Sequence, residues 1–168
     1  KMYYTIDYPK FLELQQSLIP IVLNAKINVH AYNGPYTDEV REFIDFLGKT
    51  PVLCETLRHP ATKQTHCHRD LYAGINYIWS VNIPVIGYEK SYTHFWKTKG
   101  KPNKPNNLWV WELRQAKLLS RYATTKIFVM DTRVPHSIHN EHERYTYMLR
   151  MPMDWQPSDI DEFIEYEN

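Results

Sequence analysis

The stretch IFVMDTRVPHSIHNEHERYTYMLRM, residues 127–151, reads as a strand, a tight proline-containing turn and a second extended region, with His136 just beyond the turn. In its last part the side chains alternate. Arg144, Thr146, Met148 and Arg150 fall on one face, and Tyr145, Tyr147, Leu149 and Met151 on the other. An arginine turned into a packed interior is costly unless an anion accompanies it. This strand therefore asks for a carboxylate-bearing ligand, which a guanidinium can hold through two parallel hydrogen bonds.

Upstream, THCHRDLYAGINYIWSVNIP, residues 65–84, places His68 and Asp70 two positions apart. In an extended segment both point to one side while Arg69 points away. Alone, His-x-Asp is as easily a polar turn before a strand. With His136 it becomes two histidines and one carboxylate, which occupy three positions of an octahedron and leave three open, the arrangement of non-haem iron(II) sites. A jelly roll would bring these distant segments together.

The remaining runs support that architecture. PVLCETLR, INYIWSVNIPVI, LWVWEL and KIFVMD show the period-two alternation of antiparallel strands, separated by turn residues. KTKGKPNKPNN, residues 97–107, has four lysines and no apolar residue, and reads as a surface connection. Before residue 50 the pattern is helical. Phe11, Leu14, Leu18 and Ile19 suggest a helix broken around Pro20. Val40, Phe43, Ile44 and Leu47 form one face of a second, with Thr37 as N-cap and Gly48 just past its end. PSDIDEFIEYEN predicts an acidic C-terminal helix with Ser158 as its cap. The expected organisation is one domain: a helical packing region over 1–50, a β core over 51–151 and the acidic helix over 152–168.

Composition sets outer bounds. A chain of 168 residues with twenty Lys and Arg against nineteen Asp and Glu has no global field favouring nucleic acid or a membrane surface. The four lysines near residue 100 keep nucleic acid among the partners not excluded. Thirteen tyrosines and five tryptophans suit a sheet-rich core with an aromatic-lined cleft. Cys54 and Cys67 are too few for a disulfide framework. No apolar run is long enough to span a membrane, so the expectation is a soluble, cytoplasmic protein.

Taken together, HRD, INYIWSVNIP, DTRVPHSIHN and RYTYMLR resemble the iron(II)- and 2-oxoglutarate-dependent oxygenases, nearest to small aspartyl/asparaginyl-hydroxylase-like and phage-encoded members, over about residues 50–151. The resemblance implies a mainly β double-stranded β-helix, a jelly roll with flanking helices. It makes His68, Asp70 and His136 the iron ligands and Arg144 the partner of the far 2-oxoglutarate carboxylate, with Arg150 in reserve. Asn82 and Tyr77 are further cosubstrate contacts, and His66, His94, Trp96 and Asn140 are candidates for supporting the site or meeting substrate. Dioxygen and an amino-acid, peptide or small-molecule substrate are the partners it implies, hydroxylation the reaction.

Two other readings stay open on the residues. His66 and His68 also form His-x-His, and His136 with Asn140 has the spacing of a cupin, although the expected glutamate after His-x-His is absent. A jelly roll that only binds or builds, viral ones included, would carry the same strands.

Overall fold

The structure, a computed structural model, describes residues 2–25, 31–32 by their backbone, 37–61, 66–70, 78–104, 109–123 and 125–165. Among the described residues, twelve strands form two antiparallel sheets. In chain order they are β1 (Tyr3–Ile6), β2 (Ala31–Tyr32), β3 (Leu53–His59), β4 (Cys67–Arg69), β5 (Trp79–Ile86), β6 (Ser91–Thr98), β7 (Trp109–Trp111), β8 (Ala116–Tyr122), β9 (Ile127–Asp131), β10 (His136–Asn140), β11 (Arg144–Arg150) and β12 (Ile164–Glu165). The large sheet runs β12-β1-β9-β5-β11-β3-β2 and the small one β7-β4-β10-β6-β8. From β3 to β6, and again from β8 to β11, successive strands are dealt alternately to the two sheets. This interleaving sets segments distant in sequence opposite one another.

Alternation along each strand decides what lies between the sheets. On β9, Ile127 and Val129 join the main core while Phe128 and Met130 join a smaller cluster with Tyr88, Phe95 and Tyr122. On β11, Tyr147 and Leu149 pack into the main core, and Arg144, Met148 and Arg150 line a cavity between the sheets. The faces of residues 144–151 are therefore those that the period-two pattern predicts. Pro84 lies in β5, a central strand, where it has no N–H to offer. The β5–β11 register shifts at this point, between Tyr145 and Thr146, the irregularity by which a sheet accommodates a missing donor.

The buried faces of both helices join the core cluster of the large sheet. In α2 (Asp38–Leu47) the Thr37 hydroxyl accepts from the Val40 amide, and Val40, Phe43, Ile44 and Leu47 are buried. Gly48 closes the helix at φ 80°, its N–H reaching the Ile44 and Asp45 carbonyls. The first helix, α1 (Phe11–Asn24), corrects the expected break: it continues through Pro20. Pro20 is exposed, so solvent can satisfy the carbonyl its ring leaves unpaired, and burial of Leu14, Leu18 and Val22 holds the turns on either side.

The C-terminal prediction also differs. Residues Pro157–Phe163 form 3-10 turns interrupted at Ile160, entered at Gln156 rather than capped by Ser158, and the chain then extends into β12. Pairing of Thr5 with Glu165, a Thr5–Glu165 hydrogen bond and the Lys126–Glu165 ion pair favour the extended path over an acidic helix.

Candidate metal centre

Two neighbouring strands build the centre. β4 carries His68 and delivers Asp70 just past its end; β10 begins at His136 and pairs His136 with His68 across the small sheet. Asp70 is anchored by its amide to the Thr132 carbonyl. The turn before His136 is held by Asp131, whose carboxylate accepts from the Arg133 amide and guanidinium. Asp131 thus shapes the presentation of His136 without joining the centre.

The geometry of the three side chains is specific. His68 Nε2 lies 3.2 Å and His136 Nε2 3.3 Å from the same oxygen, Asp70 Oδ1. Each histidine gives its other nitrogen to a backbone carbonyl, His68 Nδ1 to His66 at 3.1 Å and His136 Nδ1 to Val134 at 2.8 Å. A carbonyl can only accept, so both Nδ1 atoms carry hydrogens and both Nε2 lone pairs face the carboxylate in the neutral rings. Ligand atoms set at right angles about 2.1 Å from one ion lie about 3 Å apart. The donor set, the tautomers and the spacing all suit a divalent cation bound on one triangular face of an octahedron.

Charge at this end of the cavity is matched around a cationic position. Arg150 Nη1 donates to Asp70 Oδ2 at 2.8 Å, leaving Oδ1 for the centre, and Arg150 Nε reaches Glu55 at 3.3 Å. Burial would raise the Asp70 carboxyl, but Arg150 and the two histidines outweigh it and hold it well below the usual carboxylate range. For His68, burial pushes the ring down, and the hydrogen bond and charge of Asp70 with the His66 carbonyl more than reverse it.

The cavity, about 320 Å³, extends from the three ligands to Arg144. Arg144 is 5% exposed. Its Nη1 donates to the Ser91 hydroxyl at 2.8 Å, its guanidinium lies 4.8 Å over the Tyr88 ring, and its Nε is buried with no hydrogen-bond partner. Among the described residues no carboxylate forms an ion pair with it. A buried guanidinium with an unused N–H and no counter-ion is a place for an anion.

The other sequence candidates separate by face. Asn82 lines the cavity, although its amide is spent on Ser80. Tyr77 lies outside the described residues. His66 lines the cavity mouth, 5.2 Å from the His68 ring, and orients His68 through its carbonyl. Asn140 accepts from Ser91, the residue that holds Arg144, and so supports the arginine rather than the metal ligands. His94 and Trp96 require correction: β6 turns Thr93 and Phe95 inward, and both rings lie on the opposite side of the small sheet, with Trp96 Nε1 bound to Ser137.

Sequence reasoning passed over His59, Ser91 and Glu55. Glu55, Leu57 and His59 are alternate residues of β3 and all line the cavity, so strand alternation could have found them. His59 pairs with Arg144 across the strands, its Nδ1 is buried without a partner, and burial, Arg144 and His68 push its pKa down to about 3.

No protein-family model matches the chain, and no curated protein matches its sequence. Solved structures do share its fold. AviO1 from Streptomyces viridochromogenes Tue57 is 10% identical with a TM-score of 0.51, over 93% of this chain and 92% of that one. A Pseudomonas putida prolyl-4-hydroxylase is 11% identical with a TM-score of 0.54, over 92% and 86%. The non-heme alpha-ketoglutarate-dependent epimerase SnoN from nogalamycin biosynthesis is 11% identical with a TM-score of 0.53, over 96% and 83%. No helix among the described residues is long and apolar enough to cross a membrane.

Proposed function

We propose that this chain is an iron(II)- and 2-oxoglutarate-dependent oxygenase built on a double-stranded β-helix. The observation that carries the reading is one cavity with a two-histidine, one-carboxylate centre at one end and, at the other, a buried arginine that no carboxylate among the described residues pairs with. The interleaved strand order and the fold shared with the epimerase and the prolyl-4-hydroxylase support it.

His68, Asp70 and His136 would hold the iron, and Arg144 with Ser91 the far carboxylate of 2-oxoglutarate. When bound, the pair supplies the activation of dioxygen that oxidises an unactivated C–H bond, yielding succinate and carbon dioxide. Arg150 holds Asp70 Oδ2, which would leave Oδ1 to the metal. His59, neutral through the working range, adds no second cation beside Arg144. Leu57, Phe128, Met130, Ile138 and Met148 line the space between and exclude water. The substrate in this reading is an amino-acid side chain, peptidyl or free, or a small metabolite. The prolyl-4-hydroxylase supports the first and the epimerase of nogalamycin biosynthesis the second.

The test is anaerobic titration of metal-free protein with iron(II) and 2-oxoglutarate, following the weak visible charge-transfer band of the chelate. The band forms with wild type and is lost in His136→Ala, after which succinate release serves to screen substrates. Absence of the band with iron unbound would instead point to a binding or structural jelly roll.

A further inference from the structure

The outer face of the small sheet, turned away from the cavity, is built differently from the rest of the surface. Neither helix contributes to it, since their buried side chains belong to the cluster on the large sheet. Strand pairing puts Tyr92 opposite His139, and His94 opposite both Ser137 and Arg121, on this face. Half-exposed rings run across it in a connected array: Tyr92 to His139 at 6.0 Å, His139 to His94 at 6.1 Å, and His94 to Trp96 at 5.8 Å. On β7, paired with β4, Trp109 lies opposite Arg69 and 6.4 Å from the Trp111 ring.

Cations are interleaved with these rings. Arg121 lies 3.6 Å over Tyr92, and Arg69 and Lys104 lie 5.0 and 4.7 Å from the Trp109 centroid. The five strands of this sheet carry not one Asp or Glu, in a chain with nineteen acidic residues, and they place Arg69 and Arg121 on this face. Lys99, Lys101 and Lys104 follow directly after β6. Three nearby carboxylates do not neutralise the face, because Glu112, Asp131 and Glu141 are engaged by Arg114, Arg133 and Lys90. A near-neutral net charge therefore conceals a locally positive face.

We propose that this face is a binding site for single-stranded nucleic acid, separate from the metal cavity. Five strands about 4.8 Å apart make a platform about 19 Å wide. Flat rings take unstacked bases, and the cations between them take phosphates. An acidic polypeptide would use the charge but leave the rings idle, and a duplex would keep its bases out of reach. Charge and rings together favour the single strand.

Fluorescence anisotropy of the full chain with a labelled oligothymidylate of about 16 nucleotides tests the site. Binding is expected at low salt, weakening with a log–log slope of about −2 if three phosphates are neutralised. Arg121→Glu, on an exposed residue, should weaken it about tenfold, and Trp109→Ala, which removes a stacking ring, by a similar factor of about ten. An unchanged far-ultraviolet circular dichroism spectrum with a cooperative thermal transition shows that each variant is folded. Absence of wild-type binding at low salt overturns the proposal, as does indifference to both substitutions. Equal competition by polyglutamate, or tighter binding of the matching duplex, overturns it too, the first by showing a surface that reads charge alone.

Discussion

Two histidines in one cavity are driven in opposite directions. At the metal end, Asp70 raises the pKa of His68 against the effect of burial. At the other end, burial, Arg144 and His68 push His59 down to about 3. The same low-polarity space is thus prepared for positive charge where carboxylates gather and for negative charge where a guanidinium stands without one. The two arginines of β11 show the same contrast. Arg150 is committed to Asp70 and Glu55, whereas Arg144 meets Ser91 and Tyr88 and, among the described residues, no carboxylate.

The largest effect is expected from Asp70→Ala, which removes the oxygen on which both Nε2 atoms converge. Iron(II) retained after desalting should fall to background, with the fold kept; retained stoichiometric iron would take Asp70 out of the centre. Next come the arginines. Arg144→Ala should weaken 2-oxoglutarate binding by about 2–5 kcal/mol, as for loss of a buried charge partner. Arg150→Ala should instead lower stability by about 3–5 kcal/mol by leaving Asp70 uncompensated, an upper figure where a metal shares that charge. Calorimetry on both variants distinguishes them, and a cosubstrate defect confined to Arg150→Ala would reverse the assignment.

A smaller effect concerns pH. His59 has a folded pKa below its unfolded value, so the unfolded chain binds the extra proton, and stability is lost as pH falls from about 6.5 toward 3. Between pH 8 and 5 this amounts to about 2 kcal/mol. Urea unfolding of wild type and His59→Leu at the two pH values should show the difference shrinking in the variant; an identical pH dependence would mean that the Arg144 end does not exclude charge. The smallest change is Thr37→Ala, remote from both ends, which removes the α2 cap and should cost about 1 kcal/mol while leaving iron and 2-oxoglutarate affinities unaltered.

Much was legible where local rules act alone. The faces of β11 follow from a two-residue period, and the ends of α2 follow from a threonine hydroxyl and a glycine at positive φ. The meeting of His68, Asp70 and His136 was readable from spacing together with family resemblance. β1, β6 and β8 were not read as strands: they lack a plain apolar run, and much of their stability comes from neighbours far away in sequence. The same dependence explains the C-terminal segment, where a helical pattern yielded to pairing with β1, and Pro20, whose local penalty yielded to burial of the helix around it.

The sequence by itself determined which residue types could act and which of them share a strand face, because alternation is a property of the backbone. It placed Arg144 and Arg150 on one face, with Arg144 the candidate and Arg150 in reserve. Only the tertiary structure divided their partners, since ion pairing depends on what the opposing strands bring within about 3 Å. It likewise moved His94 and Trp96 to the outside and brought His59 in, because which face of a strand meets the cavity is decided by the sheet on which it lies.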